Sequence, residues 1–145
     1  MLVMGIGNVL MQDDGIGVYL TQELMAENTD GQIRFEIGET DVDYCLAQVE
    51  ENEFLIIIDA VQCRGEKGSL YVFELTELGR MEKGIAAHNY HLFHALSKKQ
   101  GILIGIEPYE IGFHFGLSAE LNGRFPFIKE KVSELIHNIA AAKCK

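Results

Sequence analysis

The sequence predicts a three-layer α/β domain with a mostly parallel sheet. Three observations carry this: strand-like and helix-like segments alternate along the chain, one central run is apolar without interruption, and no internal repeat or linker divides the sequence. The 145 residues fit one domain, 1–145, long enough to bury a core without disulfide staples.

Leu2–Ile6 is a short apolar run closed by glycine, hence a buried strand. Asp13 and Asp14 are placed to cap a helix over 16–26, with Ile16, Leu20 and Leu24 on one face. Residues 33–37 read as the second strand. Residues 41–50 read as a helix with Cys45, Leu46 and Val49 inward. Phe54-Leu55-Ile56-Ile57-Ile58 is the strongest strand signal, apolar on both faces and therefore central, and it ends on Asp59. Residues 69–74 alternate after Gly65 and Gly68 and form a strand nearer an edge. The short connection before them holds no helix, so this strand is expected to run antiparallel. Residues 88–99 read as a helix with Leu92, Ala95 and Leu96 inward. Residues 102–106 form another buried strand, and 112–123 a loop rich in glycine and aromatics. Pro126 is expected to open the last helix, along which Ile128, Val132, Leu135, Ile136 and Ile139 keep helical spacing.

A net charge of −10 disfavours nucleic acid as a partner. No apolar run reaches membrane-spanning length, and the first residues show no secretory leader. Cys45, Cys63 and Cys144 are widely spaced, which fits reduced thiols in a cytoplasmic protein rather than a disulfide framework or a thiolate metal site. A monomer is expected, because no helix shows a surplus apolar face.

Open α/β sheets bind ligands beyond the carboxyl ends of their strands, where the strand order reverses. The glycine-rich stretch 5–15 follows strand one, Asp59 ends strand three, and His88 begins a helix that leads to strand five. If strands one and three are neighbours, Asp14 and Asp59 face one cleft. Two carboxylates and an imidazole make an oxygen/nitrogen donor set with room for an exogenous ligand, suited to zinc or nickel. Each residue also has a plainer reading: Asp14 as a helix cap, Asp59 as a carboxylate bonded to nearby backbone N–H groups, His88 as a surface histidine. His91, one turn on, competes with His88 as a ligand. Gly5 and Gly7 also resemble the start of a dinucleotide fingerprint, but its third glycine would fall at Leu10. Cys63, in the loop after Asp59, is a possible nucleophile or an exposed thiol.

Gly5-x-Gly7-Asn8-x-Leu10-x-x-Asp13-Asp14-Gly15-Ile16-Gly17 resembles the opening motif of the hydrogenase maturation endopeptidases. Leu55-Ile56-Ile57-Ile58-Asp59-Ala60 resembles their central strand, and His88-Asn89 before Leu92 their histidine helix. Gly105-Ile106-Glu107-Pro108 and Ile111-Gly112-Phe113 resemble their late strand and loop. The resemblance implies a five-stranded mixed sheet of order 2-1-3-5-4 with strand four antiparallel. It implies that Asp14, Asp59 and His88 are the metal-contacting and catalytic residues. It further implies a partner, the precursor of a [NiFe]-hydrogenase large subunit, whose C-terminal extension is removed after nickel insertion, the nickel arriving with the substrate. A non-catalytic nickel-binding or hydrogenase-docking module is the alternative. The sequence departs from the family after strand two, where Ile37-Gly38-Glu39-Thr40 stands in place of Asp-Gly-Gly-Thr, leaving Glu39 or Asp41 to replace the missing acid.

Overall fold

The computed structural model describes residues 1–80 and 89–143. Five strands form one sheet: β1 (Leu2–Ile6), β2 (Arg34–Glu39), β3 (Leu55–Ala60), β4 (Leu70–Glu74) and β5 (Gly101–Ile106). Their order is β2-β1-β3-β5-β4. β1, β2, β3 and β5 are mutually parallel, and β4 runs antiparallel to β5 at an edge. This is the order that the family resemblance implies, and the neighbouring of β1 and β3 follows from it.

Side chains alternate across the sheet, as strand geometry requires. Val3, Ile56, Ile58, Ile102 and Ile104 face one side, under Ile16, Leu20 and Leu24 of α1 (Ile16–Glu27) and Ile128, Val132 and Ile136 of α5 (Ala119–Lys143). Leu2, Met4, Ile6, Leu55, Ile57 and Leu103 face the other side. There they meet Cys45 of α2 (Val42–Gln48), Leu75 and Leu78 of α3 (Leu75–Leu78), and Leu92, Phe93 and Leu96 of α4 (Tyr90–Leu96). Every residue of β3 is buried, as its uninterrupted apolar run requires. Full burial of each of its aliphatic side chains stabilises the fold by roughly 1.5–3 kcal/mol.

Several local expectations are corrected. Neither Asp13 nor Asp14 caps α1: its N-cap is Gly15, with no side-chain cap bond, and a 3-10 turn (Gln12–Gly15) precedes it. Both carboxylates are drawn to partners outside the helix, as the next subsection describes. β2 runs on to Glu39, whose φ of +49° coincides with a register shift between Gly5 and Ile6. α2 is shorter than expected and is capped by Asp41, which accepts from the Tyr44 N–H at 3.0 Å. Leu46 and Ala95 point to solvent; Cys45 faces inward as expected, and Phe93 joins Leu92 and Leu96 there. The last helix does not begin at Pro126. It begins at Ala119, because Ser118 caps it: the Ser118 Oγ accepts from the Leu121 N–H at 3.2 Å and the Ser118 carbonyl from the Asn122 N–H at 2.9 Å. Pro126 then sits inside α5, where it cannot donate to the Asn122 carbonyl, and Asn122 is exposed so that solvent can do so. The loop expected to reach Gly123 therefore ends at Ser118. The turn of helix α3 carried no sequence signal, being four residues long.

Candidate active site

Gly17 decides where α1 meets the sheet. A Cβ there would lie 2.1 Å from the Ile58 carbonyl oxygen and 2.4 Å from that of Ile6. Only glycine lets the first turn of the helix rest on the ends of β1 and β3 together. Asp14 thus stands at the carboxyl edge, where the strand order reverses. Gly7 completes the entry. Its φ is +136°, its N–H donates to the Glu39 carbonyl at 2.9 Å, and a side chain would meet the Asp14 carbonyl.

Asp14 is 2% exposed and Asp59 1% exposed. The Asp14 Oδ2 accepts from the Asn8 backbone N–H at 2.9 Å, which folds the glycine loop back on the carboxylate. Asp59 lies one residue beyond the last β1–β3 pair, Gly5 with Ile58, and pairs with Gly105 on its other side. Its Oδ1 accepts from the Ala60 N–H at 2.8 Å and its Oδ2 from the Asn89 Nδ2 at 2.5 Å. Asn89 is buried and immediately precedes α4. The structure thus brings both acids to the ends of adjacent central strands and ties one of them to the start of α4. His88, the third expected member, lies outside the described residues. Among those described, no group of three or more His, Cys, Asp or Glu side chains gathers as a metal cluster.

His91, on α4, is exposed, and so is His114, on the 109–118 loop. Asp41 is occupied as a helix cap, and Glu39 stands exposed at the end of β2. The Cys63 N–H donates to the Glu107 Oε1, and burial and then Glu107 push its thiol up, which disfavours the thiolate that a nucleophile needs. Burial and then Asp41 push the Cys45 thiol up to about 11. Folding therefore opposes its ionisation. Its stabilising share is whole below the ordinary thiol value and is lost as pH rises from roughly 9 to 11, by about 2 kcal/mol. Urea midpoints at pH 8 and pH 10.5 check this: the alkaline loss should be smaller in Cys45→Ala than in the parent.

Three structural carboxyl and amide groups were not legible as such. Asp13, fully buried, accepts from the N–H groups of Tyr109, Glu110 and Ser118 and from the Ser118 hydroxyl. Glu107 gathers the loop after β3 by accepting at Oε1 from the Cys63 and Gly65 N–H groups and the Tyr71 hydroxyl, each at 3.0 Å. Asn89 holds Asp59. Their partners lie 30 to 105 positions away, so no local pattern announces them.

A family model for hydrogenase maturation proteases, HycI, matches residues 18–135. The chain belongs to that family. Its members are peptidases, and the fold agrees. The structure superposes on the Escherichia coli hydrogenase maturating endopeptidase HybD with a TM-score of 0.80 at 23% identity, covering 94% of this chain and 91% of the other. The [NiFe] hydrogenase maturation protease HybD of Thermococcus kodakarensis gives 0.70 at 24% identity, covering 92% and 97%. Among relatives by sequence, the Rhodobacter capsulatus hydrogenase expression/formation protein HupD is 32% identical over 148 aligned positions, 92% of this chain and 70% of that protein. Coenzyme F420 hydrogenase subunit delta of Methanothermobacter thermautotrophicus is 31% identical over 123, 76% and 75%. Among the described residues of this hydrogenase maturation protease, no helix is long and apolar enough to cross a membrane.

Proposed function

We propose that this family member is the endopeptidase that removes the C-terminal extension of a [NiFe]-hydrogenase large-subunit precursor once nickel has been inserted. The observation that supports it most is the burial of Asp14 and Asp59 at the ends of neighbouring central strands in a protein of this family. Among the described residues, the thiols of Cys45 and Cys63 are free, which accords with a reducing cytoplasm.

In this reading nickel is part of the substrate, and Asp14, Asp59 and His88 are the side chains that recognise it. Nickel bound there would supply a positive charge beside the scissile segment. The chain's own contribution is a positioned carboxylate base. A water gives up a proton to the carboxylate as its oxygen bonds to the scissile carbonyl carbon; the C–N bond breaks, and the leaving amine takes a proton. Asn89 holds Asp59 in one rotamer through its Oδ2, and the Asn8 N–H holds Asp14. Burial excludes bulk water from both and strengthens their interaction with a cation.

The mass of each [NiFe]-hydrogenase large subunit in a strain lacking this gene tests the proposal. A persistent, heavier precursor that keeps its C-terminal extension is expected for at least one. Mature masses for all of them would remove the processing role. A docking module that binds the precursor without cutting it is separated by peptide release from purified components.

A further inference from the structure

Asp13 is a buried charge that the proposed chemistry does not use. Asp13 is 0% exposed, and its carboxylate is satisfied by four donors. Oδ2 accepts from the Tyr109 N–H at 2.9 Å, the Glu110 N–H at 2.9 Å and the Ser118 Oγ at 2.8 Å; Oδ1 accepts from the Ser118 N–H at 2.7 Å. A carboxylate bonded this way pins both ends of the 109–118 loop. The middle is pinned as well. The His114 N–H donates to the Leu10 carbonyl at 3.0 Å, and the Gln12 N–H to the His114 carbonyl at 2.9 Å. Gln12 makes that bond with a φ of +56°, in the left-handed region, and its Nε2 reaches the Glu110 Oε2 at 3.3 Å.

A loop held so firmly nevertheless presents its largest side chains to water. Phe113 is 88% exposed and Phe115 72%, with Leu10 of the facing loop at 50%. Adjacent is a groove of about 600 Å³ whose walls include Tyr19, His114, Phe115, Leu117 and Phe125. Clustered exposed aromatics on a fixed backbone are what a protein contact uses as anchors, since little ordering entropy remains to be lost on binding. A second copy of this chain is a poor occupant, because each copy carries −10. Leu10 runs directly into the turn that carries Asp14, and His114 is bonded to both, so whatever sits on the aromatics is brought towards that carboxylate.

We propose that the 109–118 loop grips the polypeptide substrate next to Asp14, taking an apolar segment of it against Phe113, Phe115 and Leu10, and that Asp13 is the positioning residue that holds the loop in that form. This rests on the reading that the substrate is a hydrogenase large-subunit precursor. Binding is therefore measured apart from cleavage.

The probe is a purified, nickel-loaded large-subunit precursor, with Kd, KM and kcat measured for the parent, Phe113→Ala/Phe115→Ala, Asp13→Asn and the triple variant. The double variant should weaken binding about tenfold or more and raise KM more than it lowers kcat. Asp13→Asn keeps the size but turns an N–H towards the donors, and should also raise KM. The triple variant should be weaker than either but less than their product, because both changes act through one loop. Should Asp13→Asn fail to fold by thermal melting, Ser118→Ala takes its place; it removes the hydroxyl donor to Asp13 together with the Oγ cap of α5, so its melt is read beside its KM. An unchanged Kd in the double variant overturns the gripping surface, and so does a parent protein that fails to bind. Strict multiplication in the triple variant overturns the role of Asp13. Sedimentation that shows a dimer broken by the double variant would assign the aromatics to self-association and overturn the proposal. Normal binding by the parent without cleavage would sink the proteolytic reading and leave this one standing.

Discussion

Asp59→Ala should lower the rate of precursor cleavage by about 10²–10⁴-fold, the usual contribution of a positioned acid–base group. Asp14→Ala and His88→Ala should do the same. The fold should survive each change. Removing the Asp59 carboxylate strands the buried Asn89 Nδ2, at a cost of about 1–3 kcal/mol. Removing Asp14 frees the N–H of Asn8, a partly exposed residue that water can reach. Asp59→Asn separates charge from shape: it keeps the volume, removes the base, and should be nearly as inactive as the alanine. Peptide release from a nickel-loaded precursor, with a thermal melt of each variant, is the measurement. Three variants that all cut at the parent rate would dispose of the proposed site.

The second large effect concerns a residue with no chemistry. Gly17→Ala should destabilise the protein by about 3 kcal/mol or more, at the upper end of overpacking costs. The added carbon would sit 2.1 Å from one central carbonyl and 2.4 Å from another, and both belong to strands that cannot yield. The helix must lift instead, which loosens Ile16 and Leu20 from the sheet and carries Asp14 away from Asp59. The ordinary helix preference for alanine, about 1 kcal/mol, is too small to compensate. Gly123→Ala is the internal control. Gly123 is also helical, yet nothing lies within 4 Å of its missing Cβ, so the same substitution should raise stability by up to about 1 kcal/mol. Denaturant midpoints of the two variants decide the matter; a Gly17→Ala protein as stable as the parent would mean that α1 does not rest on the strand ends as described.

Much of this architecture was legible because its causes are local or periodic. The run at β3 could only be a strand covered on both faces, and Ile16, Leu20 and Leu24 could only be one face of a helix. The acids at the ends of β1 and β3 were legible as a pair because adjacency of these strands follows from the sheet order, which the family motifs supplied. What escaped depends on distant partners. Asp13 reads as a cap in isolation and becomes a loop anchor only once Ser118 stands beside it. The start of α5 was misplaced for the same kind of reason: the proline at 126 is a louder local sign than the serine at 118, but the serine has the geometry to cap. Asn89 is marked in the sequence only as the neighbour of His88, and its hold on Asp59, 30 positions away, has no local sign.

The anchoring of Asp13 has a bearing on biosynthesis. Its donors lie 96, 97 and 105 positions downstream. The glycine-rich turn is made well before these donors, and it cannot take its final shape until the chain has been extended through Ser118. Contacts of such wide separation form late and slowly. A nascent or truncated chain that stops short of Ser118 would therefore have the acidic residues but not their arrangement, and would not yet be competent to cut.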